Sequence, residues 1–145
     1  MKMQEYITVE EVKRVCKELN LQDWTEMTTP EVSGEEAEII LSIVNTKDMK
    51  INIEDFRQGL MVELEHGTRY DDANITNNHP ILTGKIVLAH LKESLDYYKR
   101  IDVAEIEGDL LKAILNKDSD KIQEKYKKLT KAQQTLYQTI EQQLK

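Results

Sequence analysis

The sequence predicts an all-α protein, a compact bundle of about five to six helices ending in a long amphipathic one. Three observations carry that prediction. Glycine and proline number only five and two in 145 residues, well below ordinary usage, so turn formers are too scarce for a small β-sandwich. Apolar residues recur at helical spacings of three and four along most of the chain. Capping signals stand where each periodic stretch begins.

The first helix, about residues 9 to 19, opens at the capping pair Thr8 and Glu11 and gathers Val9, Val12, Val15, Cys16 and Leu19 on one face. Ser33 and Glu36 repeat the signal ahead of Ala37, Ile39, Ile40, Leu41, Ile43 and Val44, a second helix over about 34 to 45. Asn52 caps a third helix carrying Ile53, Phe56, Leu60 and Leu64, which is expected to stop at His66 with Gly67 as a left-handed cap. The Asn- and Asp-rich segment 69–80 reads as a surface loop. Pro80 opens a fourth helix, whose core face is Gly84, Val87, Leu88, Leu91, Leu95 and Tyr98 and which extends to about Arg100. Asp102 would then cap a fifth helix with Val103, Ile106, Leu110 and Ile114. After the polar break 116–121 the last helix carries Ile122, Tyr126, Leu129, Leu136, Ile140 and Leu144. The organisation expected is one helical domain over 1–116 with its central core at 52–101, and a helix over 117–145 packed on it or used for assembly.

The net charge of −7 disfavours a general nucleic-acid binder, which needs a basic face. The acidity is concentrated early: residues 1–50 carry 6 basic and 11 acidic groups, whereas residues 101–145 carry 8 of each. A single cysteine excludes an internal disulfide, no apolar run reaches membrane-spanning length, and the N-terminus lacks a secretory pattern. A cytoplasmic location and no membrane partner are expected. Cys16, on the apolar face of the first helix, reads as an inert core thiol.

The densest set of reactive side chains is Glu63, Glu65 and His66 with His90, Glu93 and Asp96. At 100° per residue, Glu63 and His66 form a stripe beside the core face of the third helix, and His90 and Glu93 form one beside that of the fourth. Packed antiparallel, the two helices would carry both stripes to one groove, with Gly59 easing close approach. A carboxylate and an imidazole from each of two helices is the donor set of bundle sites for zinc, iron or manganese. Glu63, His66, His90 and Glu93 are therefore candidate ligands of a divalent metal, with Glu65 as a candidate general base. Against this, the second pair runs in reverse order, and the same residues serve equally as ordinary ion pairs. Asp96 and Tyr97 are candidate surface contacts, and Trp24 with Tyr97 and Tyr98 either builds a recognition surface or fills the core. Thr83-Gly84-Lys85 lacks the upstream glycines of a phosphate loop.

From Phe56 to Ile101 the pattern F-x-x-G-x-x-V-E-x-E-H-G, an N-x-T loop, T-G-K-I-x-x-A-H-L-x-E and D-Y-Y is met by Phe56, Gly59, Val62, Glu63, Glu65, His66, Gly67, Asn74, Thr76, Thr83, Gly84, Lys85, Ile86, Ala89, His90, Leu91, Glu93, Asp96, Tyr97 and Tyr98. This stretch resembles the family of small bacterial and phage proteins known as domain of unknown function 5661. The resemblance implies a helical domain in a bacterial or mobile-element setting and no assigned activity. Leu95 stands where that family often has proline, so a straighter fourth helix is expected. The helix at 34–45 and the tail from Lys117 look additional to it. Taken together, the leading expectation is a non-enzymatic module that binds a protein partner or a second copy of itself. The alternatives are a metal-binding protein or metal-dependent hydrolase, and an acidic decoy of a nucleic-acid-binding host protein.

Overall fold

The computed structural model describes residues 7–145, and among them the chain is all-helical, with six α-helices and no strand. The helices are α1 (Val9–Glu18), α2 (Gly34–Val44), α3 (Ile53–Arg69), α4 (Pro80–Glu93), α5 (Tyr97–Leu115) and α6 (Ser119–Gln143), with short 3-10 turns at Trp24–Glu26 and Asp71–Ala73. They form two compact units that divide between Glu93 and Ser94.

In the unit up to Glu93, α2, α3 and α4 pack on one another, and α1 packs on the Trp24 turn and on α4. Its core is Val12, Cys16, Trp24, Ala37, Ile40, Phe56, Leu60, Leu64, Val87 and Leu91, none more than 2% exposed. Gly84 sets the closeness of the three central helices. A Cβ there would lie 2.5 Å from Ile40 Cγ2, 3.4 Å from Val44 Cγ1 and 3.5 Å from Phe56 Cζ, so only a residue without one fits. Cys16 is 2% exposed and burial pushes its thiol pKa up, away from thiolate chemistry.

Helix starts follow their caps. Thr8 Oγ1 accepts from Glu11 N, Asn52 Oδ1 from Glu54 N and Asp55 N, and Ser33 with Glu36 closes a full capping box. Glu36 does more than cap. Its carboxylate is buried and accepts from the Ser33 and Gln22 backbone N–H groups (3.0 and 3.1 Å), from Gln22 Nε2 (3.0 Å) and from the Trp24 indole (3.2 Å). It thereby fastens the segment after α1 to the start of α2. Trp24 is fully buried, so core filling and not a recognition surface is its role.

Two helix ends differ from expectation. Helix α3 continues past His66 to Arg69 with Gly67 inside it, and no described glycine has positive φ. Gly67 is there for contact: a Cβ would fall 1.8 Å from Asn78 Oδ1 and 2.7 Å from Asn74 Nδ2. The second difference is that α4 ends at Glu93 and α5 begins at Tyr97, although no proline stands between them to break a continuous helix. Asp96 accepts from the Ser94 hydroxyl and takes the Arg100 guanidinium in a bidentate pair (2.9 and 2.8 Å), while Tyr97 N bonds Ser94 O. These side-chain bonds hold a turn that competes with the continuous helix. Leu95, expected in the core, is 44% exposed.

The loop 70–79 is built by asparagines. Asn77 and Asn78 both adopt left-handed backbone, which asparagine tolerates best among residues with a side chain. Asn77 Nδ2 donates to Ile7 O (2.6 Å) and Asn78 Nδ2 to Trp24 O (3.3 Å). His79 then caps α4: its Nδ1 accepts from Ile81 N at 3.2 Å, which leaves the proton of the neutral ring on Nε2. Burial lowers its pKa, with Arg14 and Lys85 adding to the effect and Glu11 opposing it. A base whose folded pKa is depressed supplies stability that is complete above its unfolded value, about 6.5, and lost as pH falls through the folded value. Chemical denaturation between pH 7.5 and pH 5 is therefore expected to show falling stability, with a flatter profile in His79→Asn, which keeps a capping acceptor that does not titrate.

In the unit from Ser94, α5 and α6 form a helical hairpin. Lys117 is left-handed at the turn, and Asp118 caps α6 by accepting from Lys121 N (3.1 Å). Asp109 and Lys125 join the two helices at 2.7 Å. The hairpin is thinly filled: its buried apolar side chains are Tyr98, Ala113 and Leu129. No helix of the described residues is long and apolar enough to cross a membrane.

Candidate functional site

The stripes read from the sequence meet across α3 and α4. Glu63, whose side chain is 13% exposed, lies between two imidazoles, with Oε1 3.6 Å from His90 Nε2 and Oε2 3.8 Å from His66 Nδ1. Glu93 Oε2 is 4.0 Å from His90 Nδ1 and is largely exposed, at 73%. The four side chains form a chain, His66 to Glu63 to His90 to Glu93, with Glu63 as the shared carboxylate. Among the described residues, no group of three or more His, Cys, Asp or Glu side chains is placed to hold a metal ion. Glu65 turns away to Arg69, at 3.0 Å. At 3.6 and 3.8 Å the two contacts to Glu63 are longer than hydrogen bonds, and what this arrangement can do is orient two imidazoles against one carboxylate.

Beside Glu63 and His66 lies a cleft of about 260 Å³, roofed by the asparagine loop and lined also by Gly67, Asn74, Ile75, Thr76, Asn78, Thr83 and Ile86. Sequence reasoning did not find this cleft, because it depends on where the loop folds back. The signal present was Gly67, whose missing side chain makes room for Asn74 and Asn78.

The other candidates separate. Asp96 is 1% exposed and committed to Arg100 and Ser94, so the surface contact expected of it is corrected. The Arg100 guanidinium, helped by the Ser94 hydroxyl, holds the Asp96 carboxyl below the usual carboxylate range. Tyr97 is half-buried and sits edge-on to Tyr98, ring centroids 5.2 Å apart.

A surface missed in the sequence lies on the hairpin. Leu111, Ile114 and Leu115 of α5 are 57%, 50% and 72% exposed, and Tyr126 and Tyr137 of α6 exceed 60%. The sequence assigned Ile114 to a core face. The seam with α6 instead takes Ile106, Asp109, Leu110 and Ala113, which leaves a second apolar side of α5 uncovered. Its signal was that α5 is apolar on two faces, where a helix packed on one neighbour needs only one.

Residues 12–107 match the family model described as protein of unknown function, DUF5661. The chain belongs to this family. The DUF5661 match takes in α2, which the sequence reading had set apart as an addition, and extends well beyond the stretch 56–101 that carried the resemblance. It stops within α5, so α6 and the α5 residues Leu111, Ile114 and Leu115 lie outside it. Comparisons with curated proteins and with solved structures give no match.

Proposed function

We propose that this DUF5661 protein is a protein-binding module whose contact surface is the outer side of α5, in the bacterial or mobile-element setting that the family resemblance implies. The exposed apolar trio Leu111, Ile114 and Leu115 carries the reading. Side chains of this size, adjacent on one helix face and half or more open to water, mark an interaction surface more often than an accident of packing. The location supports it too: the trio follows the end of the family match at residue 107, where a partner particular to this protein would be engaged. The thin filling of the hairpin agrees, since a two-helix unit gains stability from whatever covers its open side.

The test is a comparison of the wild-type chain with the double variant Leu111→Asp, Leu115→Asp, both by light scattering and as immobilised bait in host lysate. A complex, with itself or with another protein, that the wild type forms and the variant loses is the expected result. Binding that is equal for both proteins, or missing from both, contradicts the proposal.

A further inference from the structure

Resting on that docking reading, we infer that the occupant of the outer α5 face is a second copy of this chain, packed parallel along α5 about a two-fold axis. With Ala113 as zero and 100° per residue, Ile106, Asp109 and Leu110, on the α6 side, lie at about 20°, −40° and 60°. Ala104, Gly108, Leu111 and Leu115 fall at about 180°, −140°, 160° and −160°, one stripe on the opposite side. All four are exposed. Their spacing of four, three and four is that of the contact positions in a two-stranded helical pair. Gly108 has open space where its Cβ would be. An exposed glycine in mid-helix costs about 1 kcal/mol relative to alanine, a cost with a physical return only if a neighbouring helix comes close.

Charge selects the occupant and its direction. Glu107 and Lys112 flank the stripe at about 120° and −100°, some 70° to either side of its centre. They are five residues apart, the separation at which flanking residues of two parallel helices pair across a two-fold axis. Each Glu107 then faces the Lys112 of the second copy, twice per dimer. In an antiparallel pair the two-fold axis keeps each flank on its own side, so Glu107 and Lys112, which lie on opposite flanks, would not meet. Glu107 is exposed, and the side chain of Lys112 is 77% exposed with a single 3.6 Å pairing to Asp109, so both reach outward.

Light scattering on the full chain across roughly 1 µM to 1 mM spans the affinities such a contact can supply. The wild type is expected to dimerise. Glu107→Lys and Lys112→Glu, each alone, are expected to weaken the dimer at least about tenfold, since each replaces two attractive pairs by two repulsive ones. The chain carrying both changes is expected to recover. Leu111→Cys, in a Cys16→Ser background, is expected to form an interchain disulfide on mild oxidation, because the parallel arrangement brings every residue of the stripe opposite its equivalent. A monomer at every concentration, or a dimer that neither single change weakens, overturns the inference. If the wild type is monomeric yet keeps a lysate partner that Leu111→Asp, Leu115→Asp loses, the second copy is refuted and the docking face stands. If that partner is also missing, both fall.

Discussion

Replacing Glu36 by alanine is expected to lower the stability of this protein by about 3 to 5 kcal/mol, a fall in melting temperature of about 10 to 20 °C at this chain length. Four donors converge on the two Glu36 oxygens: the Ser33 and Gln22 backbone amides, the Gln22 amide side chain and the Trp24 indole. Removing the carboxylate strands the indole N–H of fully buried Trp24 and takes the acceptor from the partly buried Ser33 and Gln22 donors, and a stranded buried donor costs about 1 to 3 kcal/mol. Glu36→Gln is expected to cost about half as much. It keeps the shape, but its amide nitrogen points donors at donors. Burial by itself would raise the Glu36 pKa, yet the bonds from Ser33, Trp24 and Gln22 more than offset it, and the value lies below the ordinary one. The stability Glu36 supplies is therefore complete above its unfolded pKa, about 4.3, and lost as pH falls through the lower folded value. Urea titrations of wild type and both variants at pH 7 and pH 3.5 measure it, with the variants converging on the wild type in acid.

Gly84→Ala is the second large effect, and its sign decides an architectural point. In an exposed helix this change adds about 1 kcal/mol of stability. Here the new methyl would stand 2.5 Å from Ile40 Cγ2, with Val44 and Phe56 closing the remaining sides, and Ile40 and Phe56 are fully buried. The core has to move, so a net loss of about 2 to 3 kcal/mol is expected, overpacking exceeding the gain in propensity. Gly108→Ala supplies the control, since its Cβ meets nothing within 4 Å of its own chain. Thermal melts of the two variants should therefore move in opposite directions at concentrations where the chain is monomeric. A rise for Gly84→Ala would mean that α2, α3 and α4 are less closely packed than the structure has them.

Helix starts were legible because they are local. Thr8, Ser33, Asn52 and Pro80 each act within four residues of where they stand. Helix ends were misread where the deciding contact is remote or indirect. Gly67 looked like a terminal cap, but it is a seat for Asn78, eleven positions on, which also bonds the Trp24 carbonyl. The break at residues 94–96 has a sequence signal of its own: Ser94, Asp96 and Arg100 stand at the spacing of a side-chain clasp. His79, directly before Pro80, could likewise have been read as the α4 cap. The meeting of Glu63 with His66 and His90 followed from angles around each helix, whereas the cleft beside them needed the path of the loop. The open side of α5 was hidden because Ile114 and Leu110 look alike in a sequence, and only the position of α6 separates the covered residue from the exposed one.

The most direct test of the central claim, that the outer side of α5 is a docking surface and not part of the core, is the melting temperature of Leu111→Asp, Leu115→Asp. It is measured below the concentration at which the wild type associates. For residues that face solvent the account predicts a stability within about 0.5 kcal/mol of wild type per substitution, with association abolished when concentration is raised. A drop of several kcal/mol in the dilute monomer would place these leucines in the interior and contradict it.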